Sequence, residues 1–204
     1  MKKFNFAGRF KWMALTSVAV ICMLFTPMGK CVNADIVTGS QTMFLPPNTV
    51  SLDLSINDAT DQVDIIAQGR TDGWFGIGFG NTVMNGTYAI IYEFGGGVTE
   101  RKLGNHNPGS VLASTVSLVS DTSSGGVRTV HLQRTLDVGN SDYFTFTATP
   151  GNIDLISATR TGNFGFHGSS FTISNIQLSQ IPEPTSGVII GLVFASGALL
   201  RRRV

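Results

Sequence analysis

The sequence predicts an all-β protein whose folded part is an antiparallel two-layer β-sandwich of the immunoglobulin-like kind. Short apolar runs with period-two alternation recur through residues 35–180, and no long stretch has apolar residues at helical spacing. Clusters of Gly, Asn, Asp and Pro separate these runs. No internal repeat of roughly 20–50 residues is present, which disfavours a propeller or a solenoid.

About ten strands are predicted from this alternation. The clearest is residues 50–56, where the apolar side chains fall on one face and the polar ones on the other. The others are 63–67, 74–79, 88–94, 98–103, 115–119, 127–134, 143–147, 153–158 and 171–178. Many short strands with turn signals between them are typical of a sandwich or a barrel, and residues 35–180 have the length of one domain.

Residues 1–34 have the three parts of a secretory signal peptide with a helical apolar core. A basic segment contains Lys2, Lys3, Arg9 and Lys11. An uncharged apolar run, 12–28, follows, and Val32-Asn33-Ala34 offers the small residues that signal peptidase recognises. Cleavage is therefore expected after Ala34.

Two other fates of this segment stay open. The apolar run approaches the ~17–25 residues that span a bilayer, so it could be retained as an anchor. Lipoprotein processing at Cys31 is the other, although Lys30 stands where a small residue is needed.

The last residues, 181–204, form a second targeting segment. Pro182-Glu183-Pro184 precedes the uncharged stretch 185–200, and Arg201-Arg202-Arg203 follows. A short apolar helix with a basic end is held with its arginines on the cytoplasmic side. The order Pro-Glu-Pro, apolar helix, Arg cluster resembles the PEP-CTERM sorting signal.

That resemblance implies recognition by an exosortase in a Gram-negative bacterium. The protein would cross the inner membrane with a transient C-terminal transmembrane helix and then reach the cell surface or an exopolysaccharide matrix. The alternative is a plain single-pass tail anchor.

Charge and cysteine content narrow the function of the body. Six of the fourteen basic residues and twelve of the thirteen acidic ones lie in 35–180, which gives a net charge of about −6. Nucleic acid is therefore not an expected partner, because phosphates require a basic face. Both cysteines, Cys22 and Cys31, lie in the signal segment, so no disulfide or thiol site is expected in the body.

Enzyme motifs are absent from the sequence. It contains no G-x-S-x-G, no H-E-x-x-H and no P-loop. Gly76, Gly78 and Gly80 alternate within a predicted strand that no helix follows, so they are not a dinucleotide fingerprint. The body is predicted not to be an enzyme.

Three segments of the body carry a recognisable pattern. Residues 73–79 read Gly-Trp-Phe-Gly-Ile-Gly-Phe, and a loop with Met84-Asn85-Gly86 and an apolar strand follow. A strand ends in Arg134-Thr135-Leu136, and residues 164–168 read Phe-Gly-Phe-His-Gly. In order and spacing these pieces resemble the DOMON domain, over about residues 45–178 of the chain.

The DOMON resemblance implies a β-sandwich with a ligand pocket that binds heme b or sugars. Position by position, Met84 and His167 fall on the methionine and histidine that ligate the heme iron. A thioether and an imidazole are neutral axial ligands suited to electron transfer. The expected function is therefore an exported heme b protein, and the alternative is a non-catalytic carbohydrate-binding or exopolysaccharide-matrix protein.

Each candidate residue also has a structural interpretation. Met84 could fill a gap in the core, and Trp74 is expected in the sandwich core rather than as a sugar platform. His131 alternates with apolar neighbours and is predicted at the surface. His106, in a Gly- and Asn-rich loop, is predicted to be solvated and is the substitute ligand if His167 is not used. Tyr88 and Tyr92 are sugar-stacking candidates, or core residues on one face with Ile90.

Overall fold

A computed structural model of the chain describes residues 36–44, 48–167 and 171–181. The predicted signal segment, and the sorting tail apart from Ile181, lie outside these residues. The described residues form eleven strands and no helix, so none of them provides a helix that could cross a membrane.

The strands follow the chain in regular succession. They are β1 (Ile36–Thr42), β2 (Ser51–Asn57), β3 (Gln62–Arg70), β4 (Gly73–Phe79), β5 (Tyr88–Tyr92), β6 (Val98–Lys102), β7 (Ser110–Val111), β8 (Ser117–Ser124), β9 (Val127–Thr135), β10 (Gly151–Thr161) and β11 (Phe171–Gln180).

All neighbouring strands pair antiparallel, in the order β7-β6-β5-β4-β10-β11-β1-β2-β3-β9-β8. The sheet curls into two layers that join where β1 pairs with β11 through only two residue pairs. The first layer contains β1, β2, β3, β9 and β8, and the second contains β11, β10, β4, β5, β6 and β7. The predicted all-β antiparallel sandwich is confirmed.

The main core lies between the two layers and follows from alternation along each strand. In β2, Leu52, Leu54 and Ile56 are at most 2% exposed, while the intervening Ser and Asp side chains lie on the outer face. Phe75 and Ile77 of β4 meet them from the second layer. Burial of this apolar surface is the main stabilising contribution to such a fold, because the described residues contain no cysteine.

Nine of the ten predicted strands overlap a strand of the structure, and the one at 143–147 is wrong. There the described chain has no partner strand, and its hydrogen bonds are isolated ones, such as Phe146 N to Leu136 O at 3.0 Å and Tyr143 Oη to Ala113 O at 2.7 Å. Phe146 is 1% exposed and packs edge-on against Phe79. The alternation in this segment therefore reflects side-chain insertion rather than strand pairing. β1 and the two-residue β7 were not predicted.

Candidate cofactor-binding site

The outer face of the second layer is covered where β4, β5 and β10 lie side by side. All residues of β4 and β5 are buried, which means that both faces of these strands are packed. A second apolar cluster covers the outer face, separate from the sandwich core. It contains Trp74, Ala89, Ile91, Leu103 and Ile156, with Met84, Ala158, Phe164 and Phe171 packed against it.

Two glycines form the floor of this region. Gly76 lies between Ile91 of β5 and Ala158 of β10. A β-carbon added to Gly76 would lie 2.6 Å from Ile91 Cδ1, and one added to Gly78 would lie 2.7 Å from Ile156 Cγ1. The isoleucine side chains therefore lie flat over the glycines, and a larger residue would push them away from the sheet. The result is a low, flat and apolar floor.

A cavity of about 430 Å³ lies over this floor. Its other walls come from the β4–β5 loop, the β6–β7 turn and the segment between β10 and β11. Most of the lining side chains are apolar, and the cavity reaches solvent where His106 and Phe166 are exposed. Its volume falls within the range of about 300–1,000 Å³ that is usual for ligand and cofactor pockets.

Met84 lies in the β4–β5 loop and is held there by backbone hydrogen bonds. Thr87 N donates to Met84 O at 3.0 Å, and Gly86 N donates to Leu103 O at 2.8 Å, which ties the loop to the end of β6. The half-buried Met84 side chain lines the cavity and packs on the second cluster, not on the sandwich core. A thioether that fills a gap in the main core is therefore not its role.

His167 lies in the segment between β10 and β11 and also lines the cavity. Its ring is near-parallel to those of Phe166 and Phe171, with 5.5 Å between the ring centroids in each pair. Arg160 Nη1 donates to Phe166 O at 2.5 Å and holds the segment to β10. These contacts fix the orientation of the imidazole. Gly168, on its other side, lies outside the described residues.

His106 lies at the rim of the same cavity, in the turn between β6 and β7. It is exposed, as predicted, and adopts a left-handed backbone with φ of 54°. Asn107 stabilises the turn, because its Oδ1 accepts from Gly109 N at 2.8 Å and its Nδ2 donates to Asn105 O at 3.1 Å. Gly109 is required there, since an added β-carbon would lie 1.8 Å from Lys102 O. The turn therefore presents a second histidine to the cavity.

The other predicted candidates lie elsewhere or are enclosed. His131, on the outer face of β9, places Nε2 2.7 Å from Asp64 Oδ1 and does not line the cavity. Trp74 is 2% exposed, as expected of a core residue, but it belongs to the second cluster rather than to the sandwich core. Tyr88 and Tyr92 are 3% and 0% exposed in the main core. Neither tyrosine lines the cavity or offers an open stacking surface for a sugar, whereas Trp74 lines the cavity.

Polar groups inside the second layer divide between the two faces. On the inner side, Glu100 accepts hydrogen bonds from Tyr88 Oη at 2.6 Å, Thr115 Oγ1 at 2.7 Å and Val116 N at 3.1 Å. Burial, reinforced by the Glu100 charge, raises the pKa of Tyr88 above its usual range. On the cavity side, the buried Nε1 of Trp74 has no hydrogen-bond partner within the described part of the chain.

Arg101, which the sequence did not single out, does not itself line the cavity but lies directly beside it. It is half-buried on β6 opposite Ala89, and its guanidinium Cζ lies 4.8 Å from the ring centroid of Phe164. Both Ala89 and Phe164 line the cavity. The alternation of residues 98–102 could have predicted the position of Arg101. It follows the inward-facing Glu100, so its side chain lies on the other face of the strand. Among the described residues, no group of three or more His, Cys, Asp or Glu side chains could hold a bare metal ion.

No protein-family model and no curated protein sequence matches the chain. Several solved structures resemble it, among them two cytochrome domains. The cytochrome domain of Myriococcum thermophilum cellobiose dehydrogenase matches with a TM-score of 0.56 at 10% identity, over 69% of this chain and 82% of that one. The cytochrome b domain of pyranose dehydrogenase from Coprinopsis cinerea matches with a TM-score of 0.51 at 14% identity, over 67% of this chain and 80% of that one. The body thus shares the DOMON-like fold of these two domains.

Proposed function

We propose that the cavity binds heme b and that Met84 and His167 would hold its iron, in a protein that transfers electrons or carries heme outside the cytoplasm. One observation carries this proposal: Met84 and His167 come from separate segments of the chain, and both line the same apolar cavity. A methionine and a histidine form a neutral ligand pair that a heme iron accepts.

The floor and walls of the cavity fit a flat macrocycle. Gly76 and Gly78 keep the floor low, because any β-carbon there would displace Ile91 or Ile156. The buried Trp74 Nε1 offers a donor for which the described residues supply no acceptor. A polar atom left without a partner in a cavity wall costs about 1–3 kcal/mol, so it favours a ligand with a matching acceptor.

Bound heme would supply an iron centre that cycles between ferric and ferrous states. The residues of the chain determine where that centre lies and what surrounds it. Phe166 and Phe171 orient the His167 ring, and the β4–β5 loop holds Met84 against the second cluster. The apolar walls limit contact with water to the open rim, and a neutral ligand pair in such surroundings favours the ferrous state and a raised reduction potential.

The fold likeness adds support of a separate kind. Both similar structures are named as cytochrome domains, and one of them as a cytochrome b domain. At 10% and 14% identity the likeness concerns the fold alone. The assignment of a ligand to this chain therefore rests on the residues of its own cavity.

The proposal also includes an extracytoplasmic location. Its support is the sequence of the two ends: a signal-peptidase segment at 1–34 and the PEP-CTERM-like segment 181–204. Signal peptidase and an exosortase would be the processing partners, and an exopolysaccharide would surround the mature protein. The body acts by binding and electron transfer, without a catalytic group of its own.

A heme titration tests the cofactor assignment. Residues 35–180 contain a single tryptophan, Trp74, and it lines the cavity. Heme bound there should quench the Trp74 fluorescence and develop a Soret band, both saturating at one heme per chain. A folded domain that shows neither change would contradict the proposal. Quenching without a shifted Soret band would indicate apolar binding without iron ligation.

A further inference from the structure

The cavity face carries positive charge that the described part of the chain does not neutralise. Arg128 is paired with Asp121 at 2.7 Å and Arg70 with Asp72 at 2.6 Å. Arg101 and Arg160 lie instead on the outer face of the second layer, in register with Ala89 and Trp74. Neither has a carboxylate within salt-bridge distance among the described residues. A domain of net negative charge thus places two arginines without acidic partners beside its cavity.

Arg101 is the more enclosed of the two and uses little of its hydrogen-bonding capacity. Its Nη1 donates to Pro108 O at a long 3.4 Å, and its buried Nε has no partner in the described structure. A guanidinium has five N–H donors in a planar fork that matches a carboxylate. Leaving the buried Nε without an acceptor is costly, so the side chain is suited to an anion from outside the chain.

Three residues that line the cavity surround this guanidinium. The Phe164 ring lies under Arg101 at 4.8 Å, Pro108 O accepts its weak hydrogen bond, and Ala89 is its cross-strand neighbour. An anion at Arg101 would therefore lie at the β6 edge of the cavity, next to the exposed rim that carries His106. Phe164 also packs edge-on against Trp74 at 4.9 Å, which connects this edge to the floor.

We infer that Arg101 is an anion subsite of the cavity, which binds a carboxylate of the ligand and fixes its orientation. The inference rests on the proposed heme binding, because heme b carries two propionate carboxylates on one edge of an otherwise apolar macrocycle. That edge would lie toward β6, and the apolar edge would lie over the Gly76 and Gly78 floor.

The test compares two ligands that differ only in charge: heme and its dimethyl ester, in which both carboxylates are blocked. Affinities are measured from the Soret absorbance of the full chain in detergent. Replacement of Arg101 by Gln should weaken heme binding about tenfold, because a charge-assisted hydrogen bond is lost. Binding of the diester should change less than about twofold. Arg101→Lys should retain part of the preference for heme, since it keeps the charge without the fork.

Arg70→Gln is the matched control, because Arg70 is also half-buried but pairs with Asp72 and does not line the cavity. It should leave both affinities unchanged. Equal losses of heme and diester in Arg101→Gln would mean that Arg101 only supports the Phe164 wall, and would overturn the subsite. If Arg101→Gln fails to fold, Arg101→Lys decides by the same comparison. Failure of the unaltered chain to bind either porphyrin would overturn the proposed function, and the subsite with it.

Discussion

Gly78 of β4 lies directly opposite Ile156 of β10, and the Ile156 side chain fills the space that a β-carbon on Gly78 would need. That β-carbon would lie 2.7 Å from Ile156 Cγ1 and 2.9 Å from Thr87 Cγ2. Glycine at this position therefore sets the height of the cavity floor. The same arrangement recurs at Gly76 with Ile91.

Replacement of Gly78 by Ala should destabilise the domain and narrow the cavity. Ile156 Cγ1 is the methylene next to the branched Cβ rather than the free end of a flexible chain, so the added methyl group must displace the side chain. We expect a cost of about 1–3 kcal/mol in the free energy of unfolding, the usual range for overpacking. Heme affinity should fall in parallel, because the displaced Ile156 enters the cavity.

Gly97→Ala provides the control for this variant. Gly97 lies in the exposed β5–β6 connection, and its added β-carbon would meet the Glu93 side chain, with the nearest atom, Oε2, at 3.3 Å. Urea unfolding should place it within about 0.5 kcal/mol of the unaltered protein. If Gly78→Ala and Gly97→Ala had equal unfolding free energies and equal heme affinities, Gly78 would not set the height of the cavity floor.

Tyr92→Phe should be neutral or stabilising at pH 7 and should protect the domain at high pH. The Tyr92 hydroxyl is buried without a hydrogen-bond partner in the described structure, and burial raises its pKa above the ordinary 10.0. Above pH 10 the unfolded chain loses this proton while the folded chain retains it. Stability therefore falls by about 1.4 kcal/mol per pH unit for each such tyrosine. Denaturant unfolding between pH 7 and pH 11 should show the reduced slope in the variant.

Tyr88→Phe should behave differently at pH 7. It also removes a buried hydroxyl whose raised pKa makes the fold alkali-sensitive, so the slope above pH 10 should again decrease. At neutral pH, however, it breaks the 2.6 Å hydrogen bond to Glu100, at a cost of about 1.5–3 kcal/mol. Equal stabilities of the two phenylalanine variants at pH 7 would show that the Glu100 bond contributes nothing.

Glu100→Gln should loosen the segment that leads into β8. The Glu100 carboxylate accepts four hydrogen bonds, which come from Tyr88 Oη, Thr115 N, Thr115 Oγ1 and Val116 N. A glutamine amide would place an N–H₂ group against some of these donors. We expect a loss of about 2–4 kcal/mol in unfolding free energy. Hydrogen exchange should accelerate at the amides of Thr115 and Val116, and unchanged protection there would contradict this role.

The sequence predicted the sandwich because its alternation is direct evidence of burial on one side. It failed at 143–147, since Phe144 and Phe146 alternate there while they insert into the end of the core. β1 was missed because Gly39, Ser40 and Gln41 interrupt the apolar pattern, and its register with β2 supplies the pairing instead. Strand pairing of this kind is set by partners distant in the sequence.

The histidine and methionine candidates of the site could be predicted from the sequence, but the surrounding walls could not. The structure places Met84, His167 and His106 around one cavity, and the sequence had named all three. It could not show that Trp74 lies on the outer face of β4, because every residue of that strand is buried and the alternation of polarity is lost. Arg101 was missed because the residue that its guanidinium contacts, Phe164, is distant from it in the sequence.

Processing of the C-terminal segment is a prediction from the sequence alone. Replacement of Pro182-Glu183-Pro184 by three alanines should block exosortase recognition and leave the protein in the inner membrane with its tail intact. Neutral residues at 201–203 should instead weaken retention in the membrane, because the basic cluster holds the cytoplasmic side. Fractionation and intact mass would distinguish these outcomes. Surface protein that still carries residues 185–204 would favour the plain tail anchor.

The absorption spectrum of the heme-loaded domain tests the central claim most directly. The unaltered protein should show a Soret band and the sharp ferrous bands of a low-spin iron with two axial ligands. Met84→Ala and His167→Ala should each lose the low-spin bands, whereas His131→Gln, at a histidine outside the cavity, should keep them. A folded protein without a Soret band, or one whose low-spin bands survive both the Met84 and the His167 substitution, would contradict the account.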